Sequence, residues 1–560
     1  MRLATEEIED LKRNLQLFKL ERHSTRANKS GSAEKFNDKL YGVVIECLVE
    51  GVMGSDIHKV LSAVSNHCDM IGPSSRLPSL SWINRIRTDI PTFVEKQVED
   101  FVRNSDHLTF GTDDTSLRQT KVASYGLHNQ EGEYLTIAMK NISATNGDQI
   151  ADHLMAVIND QKSSVRDMIK KKLKGVITDR GPAAESGAKK FVKKFNQLYR
   201  RGQPDIFVLP CTLHMQANGT NYMAGELSED AKDAMARIRR IFGDRQTGNY
   251  NKHSLCEPFK SRASVSSPFK SNLGCRFDHW PTNGQNIIDF EEIVRELLDN
   301  KKSLTTEQIS LKKLMKNTKD WKRIRLECGA LFVLYEHLLL PLDIAVSPSK
   351  TTVKQLKKAM KDLLTRLNVA ETIGLENLIS IVQDLLSKDG ERMEDDDNED
   401  EANNKLSDKQ EALKKLEQHL KAEKSTALKN NIDAYITRAV TRLRVKIEKD
   451  FKMIEEALAT GLEDDLIVPF HNRASERSFA VMKAIQKKIP TMDDNNRYMV
   501  SIARQNHLSV FMSTLSDTSS LITEARSKRK ELLENRRARH DRLARDKLAA
   551  EFDFVDLDDK

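Results

Sequence analysis

The spacing of apolar positions changes along the chain, and each change marks a different kind of structure. Between Phe36 and Val102 apolar residues recur every three or four positions, which predicts three short helices at 39–52, 56–67 and 79–90, with a break at Gly72-Pro73-Ser74-Ser75 before the third. The period then drops towards two. Residues 107–115 (HLTFGTDDT), 121–128 (KVASYGLH) and 133–139 (EYLTIAM) predict three antiparallel strands, the second and third joined by Asn129-Gln130-Glu131-Gly132. A helix at 147–161 follows, with Ile150, Leu154, Val157 and Ile158 on one face, and then a strand at 173–178, a helix at 183–199 and a strand at 206–209. Three strands in a meander followed by strands alternating with helices imply an α/β mixed sheet with helices on its faces. Past Tyr222 the strand pattern stops. Helical spacing dominates at 230–241, 287–298, 320–340, 353–367, 375–386 and 408–459.

These shifts divide the chain into six parts. Residues 1–30 carry Ile8, Leu11, Leu15 and Phe18 as the stripe of an amphipathic helix, followed by a linker. Residues 31–104 form a helical unit, 105–222 the first part of the sheet-centred core, 223–466 an all-helical insertion, 467–515 the second part of the core, and 516–560 a basic helical tail. In the helical unit, SLSWINRIRTDI offers Ser79 or Ser81 as an N-cap and shows Asn84, Arg85 and Arg87 beside apolar Trp82, Ile83 and Ile86. Two readings stand: a helix-turn-helix whose third helix reaches base edges, or an ordinary packing domain.

Composition narrows the class. The chain has 560 residues, 39% of them hydrophobic and 31% charged, which fits a globular protein and excludes collagen-like or fully disordered classes. Its net charge of +7 is too mild to define a partner, but the distribution is uneven. Residues 394–401 (EDDDNEDE) form a strongly acidic loop, and residues 526–547 hold ten Lys or Arg against four Asp or Glu. The basic tail reads either as a solvated helix or as a phosphate-contacting or nuclear-import segment. Six scattered cysteines without a CxxC pair fit a reducing compartment. The most apolar run, 330–346, is interrupted by Glu336, His337 and Asp343, so no membrane span is expected, and the charged first residues give no secretory signal.

Three acids stand where sheet chemistry can use them. Asp113 lies at the end of the first strand and Asp179 directly after the fourth, where Gly181-Pro182 breaks the chain before a helix. Carboxylates at strand ends on one sheet edge can converge on a divalent cation that neutralises them. Asp114 competes with Asp113, because strand alternation decides which of the two faces the cleft. Glu476 precedes Phe479 by three, and Phe479, Met482 and Ile485 repeat the step, so it projects from a buried seam; Arg473 or Arg477 could pair with it there. Cys211 and His214 form an i, i+3 pair just after the fifth strand and are too few for a structural zinc site.

Together, Asp113, Asp179, the Cys-x-x-His at Cys211 to His214, the long helical insertion and the Ser-Glu-Arg-Ser-Phe helix at 475–479 resemble the RNase H-like (DDE-type) cut-and-paste DNA transposases of the hAT and Kolobok groups. The resemblance implies an RNase H-like mixed sheet split by the insertion. It implies that Asp113, Asp179 and Glu476 hold Mg²⁺ or Mn²⁺ ions for in-line cleavage and joining of phosphodiesters, with Cys211, His214 and Asp114 just outside the metals or at the DNA end. It also implies double-stranded DNA as partner, a nuclear location, a homo-oligomer, and DNA contacts among Arg85, Arg87, Arg276, Trp280 and Arg477. The absence of an N-terminal Cys/His zinc finger leaves a second reading, a domesticated and catalytically silent DNA-binding or chromatin-associated relative.

Overall fold

The computed structural model describes residues 38–67, 78–117, 120–143, 146–179, 181–201, 205–243, 255–263, 269, 279–346, 351–371, 375–391, 399–459, 466–467 and 473–529. The amphipathic stripe at 1–30, residues 394–398 of the acidic loop and the tail beyond 529 lie outside them.

One mixed sheet organises the chain. Its strands are β1 (Leu108–Leu117), β2 (Thr120–Asn129), β3 (Tyr134–Ile142), β4 (Leu173–Thr178) and β5 (Phe207–Pro210), in the order β3-β2-β1-β4-β5. β1, β2 and β3 form an antiparallel meander, while β4 runs parallel to β1 and β5 parallel to β4. Side-chain alternation sends the two faces into different cores. On one face Phe110 packs against Tyr125 and Phe191, under the helices Gly147–Asn159 and Pro182–Tyr199. On the other, Ile177, Phe207 and Leu209 enter the core of the insertion, while their strand neighbours Val176 and Val208 stay with the first core. Apart from the exposed Lys174, β4 and β5 are therefore covered on both sides, which explains the apolar Val176-Ile177 and Phe207-Val208-Leu209 runs.

The helices Asp38–Val49, Gly54–His67, Leu80–Ile86 and Ile90–Asn104 do not build a core of their own. Tyr41, Phe93 and Val102 share a hydrophobic cluster with Leu108 and Phe110 of β1, and with Met482, Ile502 and Ile522 from the far end of the chain. Ser79, not Ser81, caps the third helix, its hydroxyl accepting the Trp82 N–H at 3.2 Å. That helix has only seven residues before the chain passes through a 3-10 turn into Ile90–Asn104. The described start of the basic tail is tied back to the same helices. Arg529 makes two hydrogen bonds to the fully buried Asp89, which also accepts from the Tyr41 hydroxyl. Lys528 pairs with Glu95 at 3.1 Å and Glu524 at 2.8 Å, and Arg526 stands 5.0 Å over the Tyr41 ring.

The insertion differs in detail from its periodicity. The stretch 287–298 belongs to two helices, His279–Asp289 and Glu291–Asn300, because Phe290 leaves helical geometry and sets its ring edge-on against Phe259. The stretch 408–459 is broken at Ser425, whose hydroxyl accepts the Leu428 N–H and starts the helix Thr426–Ala459. The helical run Thr318–Val346 is long and apolar enough to cross a bilayer, but 61% of its most apolar window is buried inside the protein. Within it Tyr335–Leu339 forms a π-turn ahead of Pro341. Pro341 has no N–H for the carbonyl four residues back, and Arg366 donates to that His337 carbonyl instead, at 3.1 Å.

Candidate metal centre

The register of β1 and β4 puts two acids side by side. Thr109 pairs with Gly175 and Gly111 with Ile177, so two residues further on Asp113 comes level with Asp179, on the same face. Neighbouring strands lie about 4.8 Å apart, close enough for both carboxylates to share an ion. Asp113 is buried, and one of its oxygens accepts the Asp114 N–H at 2.8 Å. Asp179 is half-exposed, one residue past the end of β4, and the chain then turns through Gly181 into a helix that begins with Pro182. Asp179 thus stands at the carboxyl end of β4, where α/β sheets commonly bind ligands, whereas Asp113 lies in the middle of β1 and not at its end as the sequence suggested, because β1 runs on to Leu117 in its pairing with β2.

A third donor comes from β5. The Cys211 N–H bonds to the Thr178 carbonyl at 3.0 Å, extending the β4–β5 pairing by one residue. The helix Thr212–Gly225 starts there with Cys211 at its N-cap, and its first turn presents the buried His214. His214 Nε2 lies 3.3 Å from Asp179 Oδ1. Ligand atoms of Asp113, Asp179 and His214 all fall within 4.8 Å of one another. Two carboxylates and an imidazole at this spacing are a chemically suitable donor set for a divalent cation, whose charge would offset the cost of burying Asp113. Among the described residues, an open cleft beside the cluster is lined by Thr112, Asp114, Tyr125 and His153 together with Asp113 and Asp179.

Alternation also separates Asp113 from Asp114. Asp114 points to the opposite face and pairs with Lys121 of β2 at 2.9 Å, so Asp113 is the one that joins the cluster. Cys211 is fully buried at its cap position and is not one of the three clustered donors.

The helix that carries Glu476, Arg473–Lys488, lies across β1, β2 and β3. Phe479, Met482 and Ile485 form its buried seam, as the spacing predicted. The side chain of Glu476 is outside the described residues. Its neighbours are fixed: Ser475 Oγ meets the Tyr134 hydroxyl at 2.9 Å, and Ser478 Oγ meets Thr136 Oγ1 at 3.1 Å. The Tyr134 ring crosses Gly126, where any Cβ would stand 2.2 Å from it. Burial pushes the Tyr134 phenol up from its ordinary pKa; hydrogen bonds to Ser475, Thr136 and Ser124 oppose this, while the charge of Asp113 adds to it. On the free edge of β3, the Asn506 side chain accepts the Thr136 N–H and donates to the Thr136 carbonyl, both at 2.8 Å.

The basic and aromatic candidates are dispersed. Arg477 and Arg85 are exposed, the latter donating to the Ser81 carbonyl at 3.2 Å. Arg87 is half-buried, its pKa drawn down by burial against the opposing charge of Asp493. Trp280 packs partly against the insertion core and donates to Asn221 Oδ1 at 3.1 Å, on the same helix as His214. Arg276 lies outside the described residues. Tyr134 and Asn506 were not singled out by sequence; Gly126, a glycine inside a strand, is the signal that could have suggested a close approach there.

No protein-family model matches this chain, and no curated protein matches it in sequence.

Proposed function

We propose that this chain is an RNase H-like, metal-dependent DNA transposase that cleaves and joins phosphodiesters. The observation that carries the reading is the convergence of Asp113, Asp179 and His214 within 4.8 Å beside the carboxyl end of β4. The strand order β3-β2-β1-β4-β5, antiparallel then parallel, and the insertion entered after β5 support the same reading. Asp113 and Asp179 are the residues that would hold Mg²⁺ or Mn²⁺, and Glu476 is the third acid the family resemblance assigns. A divalent cation bound there supplies Lewis-acid stabilisation of the phosphate oxygens and lowers the pKa of an attacking water or hydroxyl.

The chain's own residues do the rest. Asp113 is immobilised by its strand and by the Asp114 N–H, so its orientation is set before a substrate arrives. The Tyr134–Ser475 contact holds the start of the Glu476 helix against the sheet. The half-exposed flank at Asp179 leaves room for a phosphodiester to approach from solvent. Double-stranded DNA as substrate, assembly of several copies and a nuclear location belong to the same proposal.

The test is nicking of supercoiled DNA in Mn²⁺ by wild type and by Asp179→Asn. Nicking by wild type alone is the expected result. Equal nicking by both proteins overturns the assignment of the site. No nicking by either, with DNA binding retained, favours the silent DNA-binding relative.

A further inference from the structure

The family resemblance places His214 outside the metal, whereas its ring nitrogen is one of the three clustered donors. We propose that His214 Nε2 is a direct ligand of the same cation as Asp113 and Asp179, and that this nitrogen makes the site select Mn²⁺ and related transition-metal ions over Mg²⁺. The inference rests on the proposed metal centre and adds the donor that determines its ion preference.

Geometry carries it. Two ligand atoms each about 2.1–2.2 Å from one ion, set roughly 100° apart, stand about 3.3 Å from each other. His214 Nε2 and Asp179 Oδ1 are 3.3 Å apart. Asp113 completes the group within 4.8 Å, so a small closure brings all three atoms onto one ion. The imidazole is also held in place by the backbone. His214 follows directly on the Cys211 N–H bond to Thr178, the residue before Asp179, so one hydrogen bond fixes both donors relative to each other. The ring is buried, which limits its exchange with water.

Donor chemistry sets the preference. Mg²⁺ favours oxygen ligands in near-ideal octahedral geometry and keeps several waters. Imidazole nitrogen raises affinity for first-row transition ions, in an order that ascends from Mn²⁺ through Co²⁺. A site with two carboxylates and one imidazole therefore binds Mn²⁺ more tightly than its carboxylates alone would, and gives Mg²⁺ no comparable gain.

The experiment is electron paramagnetic resonance of Mn²⁺ bound to the full chain, with Mg²⁺ as competitor and ¹⁴N modulation of the echo as the direct readout. Wild type is expected to bind Mn²⁺ with ¹⁴N modulation. His214→Gln is expected to lose the modulation and to weaken Mn²⁺ binding about tenfold or more, the least that disturbing a metal site usually costs, with Mg²⁺ competition nearly unchanged. His153→Gln, in the adjoining cleft, is expected to keep the signal. Mn²⁺ bound without ¹⁴N modulation in wild type, with binding abolished by Asp179→Asn, overturns the His214 assignment and leaves the carboxylate site standing. Mn²⁺ binding that survives Asp113→Asn and Asp179→Asn overturns both. Because the modulation is read on wild type, the outcome does not depend on a variant folding.

Discussion

The sheet-centred core and the helical insertion are assembled in opposite ways. The first gathers residues from both sides of the insertion: Tyr41 and Phe93, Phe110 on β1, and Met482 and Ile522 far along the sequence all share one cluster. The insertion is built from its own consecutive helices around Trp321, Phe332 and Leu443, and joins the sheet through Ile177, Phe207 and Leu209. The candidate metal centre lies where the two meet. Asp113 stands on a central strand of the first, and His214 on a helix that packs against Thr426–Ala459 of the second. The difference teaches that the site's geometry depends on long-range closure on one side and on local helix packing on the other.

Four perturbations sharpen this contrast. Asp89→Ala strikes the closure of the sheet-centred core, because it leaves the Arg529 guanidinium without its buried partner and removes the Tyr41 acceptor. Unpairing a buried charge costs about 3–5 kcal/mol, to be read as a fall in the urea midpoint. Asp113→Asn keeps the strand but removes a charge of the proposed metal site, and nicking is expected to fall about a hundredfold, or about 2.7 kcal/mol of barrier, with little change in the midpoint. Gly126→Ala forces the Tyr134 ring off the sheet and with it the contact to Ser475; such overpacking costs about 1–3 kcal/mol, and hydrogen exchange should rise first in Arg473–Lys488.

The smallest effect is a pH dependence confined to the insertion. Burial pushes His419 below its ordinary 6.5, with Arg325 adding to the shift and Glu291 opposing it. A neutral histidine favoured by the fold contributes stability above 6.5 that is lost as pH falls towards its lowered value. Burial alone would raise Glu291, but Arg325 and Arg295 outweigh it and hold the carboxyl below its ordinary 4.5. Its contribution is present above 4.5 and is lost as pH falls through the lowered value. Hydrogen-exchange protection in the insertion, taken relative to the intrinsic rate at each pH, should therefore fall in two stages on acidification. His419→Gln removes the upper stage if the assignment holds; an unchanged profile contradicts it.

Most of the sheet could be read in advance because period-two spacing is a local signal. β1 to β5 fall within a few residues of their expected bounds, and so do the flanking helices Gly147–Asn159 and Pro182–Tyr199. The helix Ser163–Lys172 gave no such signal, since only Val165 and Ile169 of its residues are buried in a lysine-rich run. Asp113 could not be separated from Asp114 without the pairing of β1 to β2, which places Asp114 beside Lys121. His214 looked peripheral because its distance to Asp179 depends on how β5 aligns with β4, a contact between segments that neither segment encodes alone. The 31–104 boundary marked a change of period and not a change of core, because those helices pack both on the adjoining sheet and on helices hundreds of residues away.

The most direct test of the central claim is anomalous diffraction at the manganese edge from crystals of the full chain soaked in Mn²⁺. A peak is expected between Asp113 and Asp179, within about 2.2 Å of a carboxylate oxygen of each. Well-ordered electron density for both side chains with no anomalous peak between them would contradict it.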